Sequence, residues 1–230
     1  MQPSQAHPII VAISRQMGSG AHAVARIVAT KLDLPLLDQE IINRAAVAAG
    51  VEPDVIVAAE SVPSLITRIV EQLGRYPVAL EPDGLSAASL PANLMLTSSD
   101  YRYLIDRVVQ QVADQQSAVI FGHGAAQTLA DHPGVLRVFI LAPLDLRVRR
   151  HAHDQGLSDQ QARQQVREND RERAEFFRHY YDMDWLDARR YDLLINAGGL
   201  SDQLAADLVV RAAQSRIEGA FAEPAASTQS

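Results

Sequence analysis

The stretch from Ile9 to Gly20 constrains this chain more than any other. Ile9-Ile10-Val11-Ala12-Ile13 is a β-branched run without polar alternation, the pattern of a strand buried on both faces of a parallel sheet. It runs into Ser14-Arg15-Gln16-Met17-Gly18-Ser19-Gly20, after which Val24, Ile27, Val28 and Leu32 recur at helical spacing. A strand, a glycine loop and a helix in that order form an anion site by construction. Gly18 and Gly20 let the backbone turn and approach a ligand, and the first amides of the helix point at it with the positive end of the dipole.

The rest of the chain repeats the alternation. Leu34-Pro35-Leu36-Leu37 reads as a short second strand ending at Asp38, and a helix from about Gln39 to Ala49 stops at Gly50. Residues 51–75 read as helical, with Ile56, Leu65, Ile66 and Ile69 among the candidate core positions. From Pro77 to Ser99 the periodicity is lost among Pro77, Pro82, Gly84 and Pro91, and so long an irregular stretch within a domain is usually functional or mobile. A helix is expected from about Asp100 to Gln115. The third strand, Ala118–Phe121, breaks at Gly122-His123-Gly124, and the fourth, Val135–Leu141, ends before Pro143.

A helix begins near Leu144 and is interrupted at Gly156. Ser158-Asp159-Gln160-Gln161 fits a capping box opening a long polar helix to about Tyr180. Asp192–Asn196 is the fifth strand, and Ser201 caps a last amphipathic helix. One domain is expected over residues 8–218, with flexible tails at 1–7 and 219–230. Alternating strands and helices imply an α/β fold whose parallel sheet is covered on both faces. Ligands on such sheets bind at the carboxyl ends of the strands. Ser14–Gly20, Asp38, Gly122–Gly124 and Ala142–Pro143 all follow strand ends, so they converge on one edge.

Composition narrows the setting. No run approaches the roughly 18 apolar residues that a membrane helix needs, and the N-terminus has no basic and apolar leader, so a cytoplasmic protein is expected. Zero cysteines exclude disulfides and thiolate metal sites. The net charge of −7 argues against general nucleic-acid binding. Lys31 is the single lysine, so no second one exists for chemistry that needs it.

Three readings of the glycine loop compete. Gly18-Ser19-Gly20-Ala21-His22-Ala23 matches the dinucleotide pattern G-x-G-x-x-[GA], with Asp38 near the place of a ribose-binding acid. The loop could also be a tight turn without a ligand. The spacing favours the third, the larger loop of a nucleoside triphosphate site, because Ser14, Arg15, Gln16 and Met17 separate the strand from the first glycine.

The stretch Val11-Ala12-Ile13-Ser14-Arg15-Gln16-Met17-Gly18-Ser19-Gly20 resembles the opening of the cytidylate kinase-like family, relatives of bacterial CMP kinases. The resemblance continues through Asp38-Gln39-Glu40-Ile41-Ile42, Val119-Ile120-Phe121-Gly122-His123-Gly124 and Val138-Phe139-Ile140-Leu141-Ala142-Pro143. It is clearest at Asn169-Asp170-Arg171-Glu172-Arg173-Ala174 with Tyr180-Tyr181, and it ends with Tyr191-Asp192-Leu193-Leu194-Ile195-Asn196.

This resemblance implies a P-loop, adenylate-kinase-like fold with five strands in the order 2-3-1-4-5. It also implies a monophosphate-binding insertion at about 50–99 and an arginine-bearing lid at about 147–180. The implied reaction is transfer of the γ-phosphoryl group of ATP to CMP or dCMP with Mg²⁺. Such transfer asks the protein mainly for positioning and charge neutralisation, so arginines near the phosphates matter most. Arg147 and Arg150 share a helical face, and Arg171 and Arg173 with Asp170 lie in the family motif; these five are the catalytic candidates. Arg15, Gly18, Ser19, Gly20, Ala21 and His22 are the cofactor-loop candidates. Asp38, Arg44, Gly122 and His123 are the acceptor-side candidates, although Asp38 has a strong competing reading as a helix N-cap.

The chain departs from an active CMP kinase at the loop. There, lysine and then serine or threonine follow the last glycine; here they are Ala21 and His22. Many family members also lack the lysine and tend to carry arginine where His22 stands. A helix N-terminus disfavours the imidazolium form of His22, whereas a bound polyphosphate favours it. The Gly-Arg expected after the third strand is Gly122-His123. These exchanges imply weakened polyphosphate affinity or binding that strengthens on acidification, with Arg15 as the candidate compensating cation. Two functions follow as expectations: a CMP-type kinase, or a degenerate P-loop domain that binds nucleotide or protein partners.

Overall fold

The computed structural model describes residues 8–50, 52–54, 56–57 and 98–217. Five parallel strands lie in the order β2-β3-β1-β4-β5: β1 (Ile10–Arg15), β2 (Leu36–Leu37), β3 (Ala118–Phe121), β4 (Val135–Leu141) and β5 (Leu193–Asn196). β1 is central, with Ile10 opposite both Ala118 and Val135. The helices are α1 (Ala21–Leu32), α2 (Gln39–Ala49), α3 (Ser98–Gln115), α4 (Ala125–Thr128), α5 (Leu144–Gln155), α6 (Asp159–Tyr181) and α7 (Asp202–Ile217), with a 3₁₀ turn at Ala188–Arg190.

Successive strand residues point to opposite faces, and the two cores divide accordingly. Ile10 and Ala12 of β1, Ile120 of β3 and Phe139 of β4 meet Ile41, Ile105 and Val109 from α2 and α3. Val11 and Ile13 of β1, Val119 of β3 and Val138 of β4 meet Val24 and Val28 of α1 and Val209 of α7. The continuous apolar runs of the sequence are therefore explained by helices on both faces. A third, small core joins α5 to α6 through Val148, Ala152, Ala162 and Val166, and Met17 of the glycine loop packs against it. These two helices thus touch the loop directly.

Boundaries differ from the sequence reading in understandable ways. β1 extends to Arg15 because Ser14 and Arg15 still pair with Phe139 and Ile140 of β4. β2 shrinks to Leu36–Leu37, since only two residues find partners on β3. The capping box is present, with Ser158 accepting from the Gln161 amide while Gln161 accepts from the Ser158 amide. The other expected core positions in 58–75, the irregular stretch over 77–97 and both tails lie outside the described residues. Among the described residues, no helix is long and apolar enough to cross a membrane.

At the opposite edge from the glycine loop, Arg137 of β4 grips Asp192 before β5. Its backbone amide (2.8 Å), Nε (3.1 Å) and Nη2 (2.8 Å) all donate to the carboxylate, and Arg216 of α7 adds a contact at 3.2 Å. Burial raises the carboxyl pKa of Asp192, but the bonds from Arg137 and the charge of Arg216 outweigh it and hold the group below the ordinary range. A depressed carboxylate contributes stability above its unfolded pKa and loses it as pH falls through the folded value. Asp192→Asn is expected to lower the denaturation midpoint at neutral pH, and urea melts at falling pH should show the gap to wild type closing under acid.

Candidate functional site

Because the strands are parallel, the carboxyl ends of β1 to β4 share one edge, where a cleft of about 700 Å³ is lined by the segments after β1 and β2 and by Phe121 at the end of β3, whereas Gly122–Gly124 and Ala142–Pro143 do not line it. Its floor is the loop Arg15–Ala21. Gly18 and Gly20 both have positive φ, +73° and +86°. A Cβ on Gly18 would sit 2.4 Å from the Arg147 carbonyl oxygen, so nothing larger than glycine fits. A Cβ on Gly20 would meet Arg150 Nη1 at 3.0 Å and Asp202 Oδ1 at 3.3 Å. Gly20 provides no side-chain cap to α1, and the first residues of that helix, Ala21, His22 and Ala23, line the cleft. Ser19 is 1% exposed, and its hydroxyl is buried without a hydrogen-bond partner. A helix start without a side-chain cap, a buried orphan hydroxyl and a glycine cradle fit a phosphate group.

One wall carries Arg15, His22, Asp38 and Phe121. The Arg15 guanidinium lies 4.3 Å from the Phe121 ring centroid, and His22 meets the same ring edge-on at 5.4 Å. Opposite stand Arg150, His151 and Asp154 of α5, Asn169 and Arg173 of α6, and Asp202 of α7. Arg150 donates to the Ser19 carbonyl at 2.7 Å, which ties α5 to the loop.

Arg147 and Arg150 share the face that meets the loop, but only Arg150 lines the cleft. Arg147 is 4% exposed and fully engaged. It donates through Nε to the Ala142 carbonyl at 3.0 Å, through Nη1 to the Met17 carbonyl at 3.4 Å, and through both Nη atoms to Asp170 at 3.0 and 2.8 Å. Asp170 is therefore beside Arg147 and off the cleft. Arg173 lines the cleft, whereas Arg171, two residues away and so about half a turn round, pairs with Glu168 on the outer face. Arg44 is also outside, on α2, bonded to Glu40.

The acceptor-side pair is more informative. Asp38 stands at the N-cap of α2 without making a side-chain cap bond. Its carboxylate instead faces the buried His123, whose Nε2 lies 3.1 Å from Oδ1. Burial raises the Asp38 pKa, but the bond and charge of His123, with the charges of Arg15 and His22, outweigh it and hold the carboxyl low. Asp38 is thus the acceptor, and Nε2 carries the proton. His123 holds a positive φ of +54° in a turn where Gly122 and Gly124 are also left-handed.

Sequence reasoning missed what holds that turn. Arg102 of α3, 6% exposed, donates to the His123 carbonyl at 2.8 Å and to Thr128 at 2.9 Å, and pairs with Asp106. Tyr181, at the end of α6, lies 3.3 Å from the Thr128 hydroxyl and 5.0 Å below the Arg102 guanidinium. Burial pushes the Tyr181 hydroxyl up to about 12, so it stays neutral. The only sequence signal was the Arg102–Asp106 spacing of four; the long-range partners have none. Asn169, Asp202 and Phe121 were missed for the same reason.

Comparison with known proteins accords with this geometry. A model of the cytidylate kinase-like family matches residues 10–198. The chain belongs to the cytidylate kinase-like family. Relatives include cytidylate kinases of Sulfolobus acidocaldarius, 30% identical over 106 residues (46% of this chain, 58% of that one), and Haloarcula marismortui, 26% over 111 residues (48% and 58%). A uronate isomerase of Corynebacterium glutamicum is 31% identical over 130 residues, 56% of this chain and 24% of that one. The chain therefore spans about a quarter to somewhat over half of these curated relatives. An uncharacterized protein from Eubacterium ventriosum has a similar solved structure, with TM-score 0.62 and 22% identity over 90% of this chain and 99% of that one. Shikimate kinase from Bacteroides thetaiotaomicron follows at TM-score 0.50 and 16% identity over 91% and 98%. The family implies nucleotide binding, and these structures show the fold.

Removing one partner of a buried, hydrogen-bonded pair leaves an uncompensated group. Arg147→Ala is expected to cost about 3 kcal/mol of stability, read by chemical denaturation, with the amide signals of Met17 and Gly18 shifting in NMR spectra.

Proposed function

We propose that the chain is a nucleoside monophosphate kinase-like phosphotransferase, passing the γ-phosphoryl group of ATP to CMP or dCMP. The observation that carries this reading is the glycine loop, with its helix start lacking a side-chain cap and its buried Ser19 hydroxyl, in one cleft with Arg150 and Arg173. Arg15 and Arg150 neutralise the donor phosphates, the loop amides orient them, and Arg173 meets charge on the group in transfer. The acceptor enters on the side of Asp38, His22 and the Gly122–His123 turn. Its phosphate oxygen is already ionised, so attack needs no general base. Arg147 and Asp170 act as positioning residues that fix the loop against α5 and α6. In this layout residues 8–218 form one domain, with about 50–99 as the acceptor-binding insertion and about 147–180 as the lid.

Among the described residues, no three histidine or carboxylate side chains converge as a metal site. Mg²⁺ would accompany the nucleotide, held largely by phosphates and water, and would supply charge neutralisation on the β- and γ-oxygens.

One observation favours a second reading, a binding domain with little or no turnover. The position after Gly20 is Ala21, and the single lysine, Lys31, is at the far end of α1 in an ion pair with Asp207. No lysine ammonium therefore reaches the loop.

ATP with Mg²⁺ is expected to raise the melting temperature, and addition of CMP should then release ADP. Arg150→Ala should weaken ATP binding by roughly tenfold, about 1.4 kcal/mol, in a calorimetric titration. A thermal shift without ADP formation would select the second reading, and no response to any nucleotide would overturn both.

A further inference from the structure

Asp38 places a carboxylate in the wall of a cleft built for anions. Alone, that charge opposes a phosphate group. Its immediate partner is His123, which is 6% exposed and does not line the cleft, so His123 cannot contact a ligand there. What it can do is change the charge that Asp38 presents. With the ring neutral, the pair carries one negative charge; with the ring protonated, it carries none. A bound anion favours the second state, since like charges in a partly buried site raise the cost of leaving the ring neutral.

We propose that His123 is a positioning residue that sets anion affinity in the cleft through Asp38, taking up a proton when a phosphate-bearing ligand binds. This rests on the reading of the cleft as a phosphate site and deepens it, independently of any transfer reaction. The geometry keeps the pair together. Arg102 holds the His123 carbonyl at 2.8 Å, and the left-handed turn from Gly122 to Gly124 aims the ring at Asp38.

Among the described residues, these charges surround the pair. Arg15 at the end of β1 and His22 of α1 face Asp38. Arg102 and Asp106 of α3 pair with one another behind the turn, and Tyr181 of α6 remains neutral. Across the cleft stand Arg150, His151 and Asp154 of α5, Arg173 of α6 and Asp202 of α7. Among the described residues, three histidines stand in or beside this cleft, His22, His151 and His123, and the variants below separate them.

Inorganic sulfate is a suitable probe, because its charge is constant over the pH range of the test and it requires neither nucleotide nor turnover. Binding is read from the NMR shifts of the Gly18, Ser19 and Gly20 amides in the full-length protein. Wild type should bind on the order of tenfold tighter at about pH 5.5 than at about pH 8. The dependence should persist in His22→Gln and in His151→Gln and should vanish in His123→Gln. Asp38→Asn should bind as tightly at the higher pH as wild type does at the lower, an effect that a purely structural role for the pair would not produce. In the wild-type protein the His123 ring signals should titrate at higher pH with saturating sulfate than without it, which tests the proton uptake even if a variant does not fold. Retained pH dependence in a folded His123→Gln, unchanged ring titration, or Asp38→Asn binding no tighter than wild type at the higher pH would each overturn the proposal. Sulfate that binds without these His123 effects leaves the phosphate-site reading intact, whereas no binding at the loop in any form removes both.

Discussion

The buried guanidinium of Arg147 is the contact on which the site depends. A charge removed from water must be matched at nearly every donor, and Arg147 is matched by two loop carbonyls and both oxygens of Asp170. Those acceptors belong to three different segments: the glycine loop, the turn after β4 and helix α6. Its own carbonyl lies where any side chain on Gly18 would go. One residue thereby sets the distance between the loop and helices α5 and α6, and the fit tolerates no bulk at Gly18. Met17 completes the arrangement by inserting into the small α5–α6 core.

With the loop held there, the electrostatics of the cleft follow from which arginines line it. Arg150 and Arg173 reach the cleft from one side and Arg15 from the other, supported by the face of Phe121. The position after Gly20 is the neutral Ala21, and His22 follows it. The cleft therefore relies on arginine charges brought from separate helices and strands, in contrast to a loop that carries its own ammonium. Such charges are worth more when water is excluded, and that links the electrostatics of the cleft to the placement of α5 and α6.

How legible was this? The five strands and their approximate ends were visible because buried parallel strands are continuous apolar runs flanked by glycine, proline and aspartate. The glycine loop was visible because its conformational demand is local: positive φ at Gly18 and Gly20 favours one residue type. The arginine assignments were less legible. Arg147 and Arg150 were correctly placed on a common helical face, yet burial turned one into a structural clamp and left the other in the cleft. Arg171 and Arg173 were equal as motif residues and unequal in space, because two positions on a helix are about half a turn apart. Asp38 had a plausible local role as a cap, but a long-range partner claimed its carboxylate.

What the sequence by itself determined is the α/β alternation, the glycine turn after β1 and the family to which these belong, since each is encoded in neighbouring residues through backbone preference and hydrophobic period. What only the tertiary structure decided is which charges face the cleft and which neutralise one another. Arg147 with Asp170, Asp38 with His123, and Arg102 with Thr128 and Tyr181 are pairings between residues 23 to 85 positions apart. No local rule distinguishes a solvated charge from a buried and paired one, because the cost of desolvation is fixed by the packing around it. The glycine loop was readable from its own residues, but its electrostatic partners became known only when the sheet brought the strand ends together.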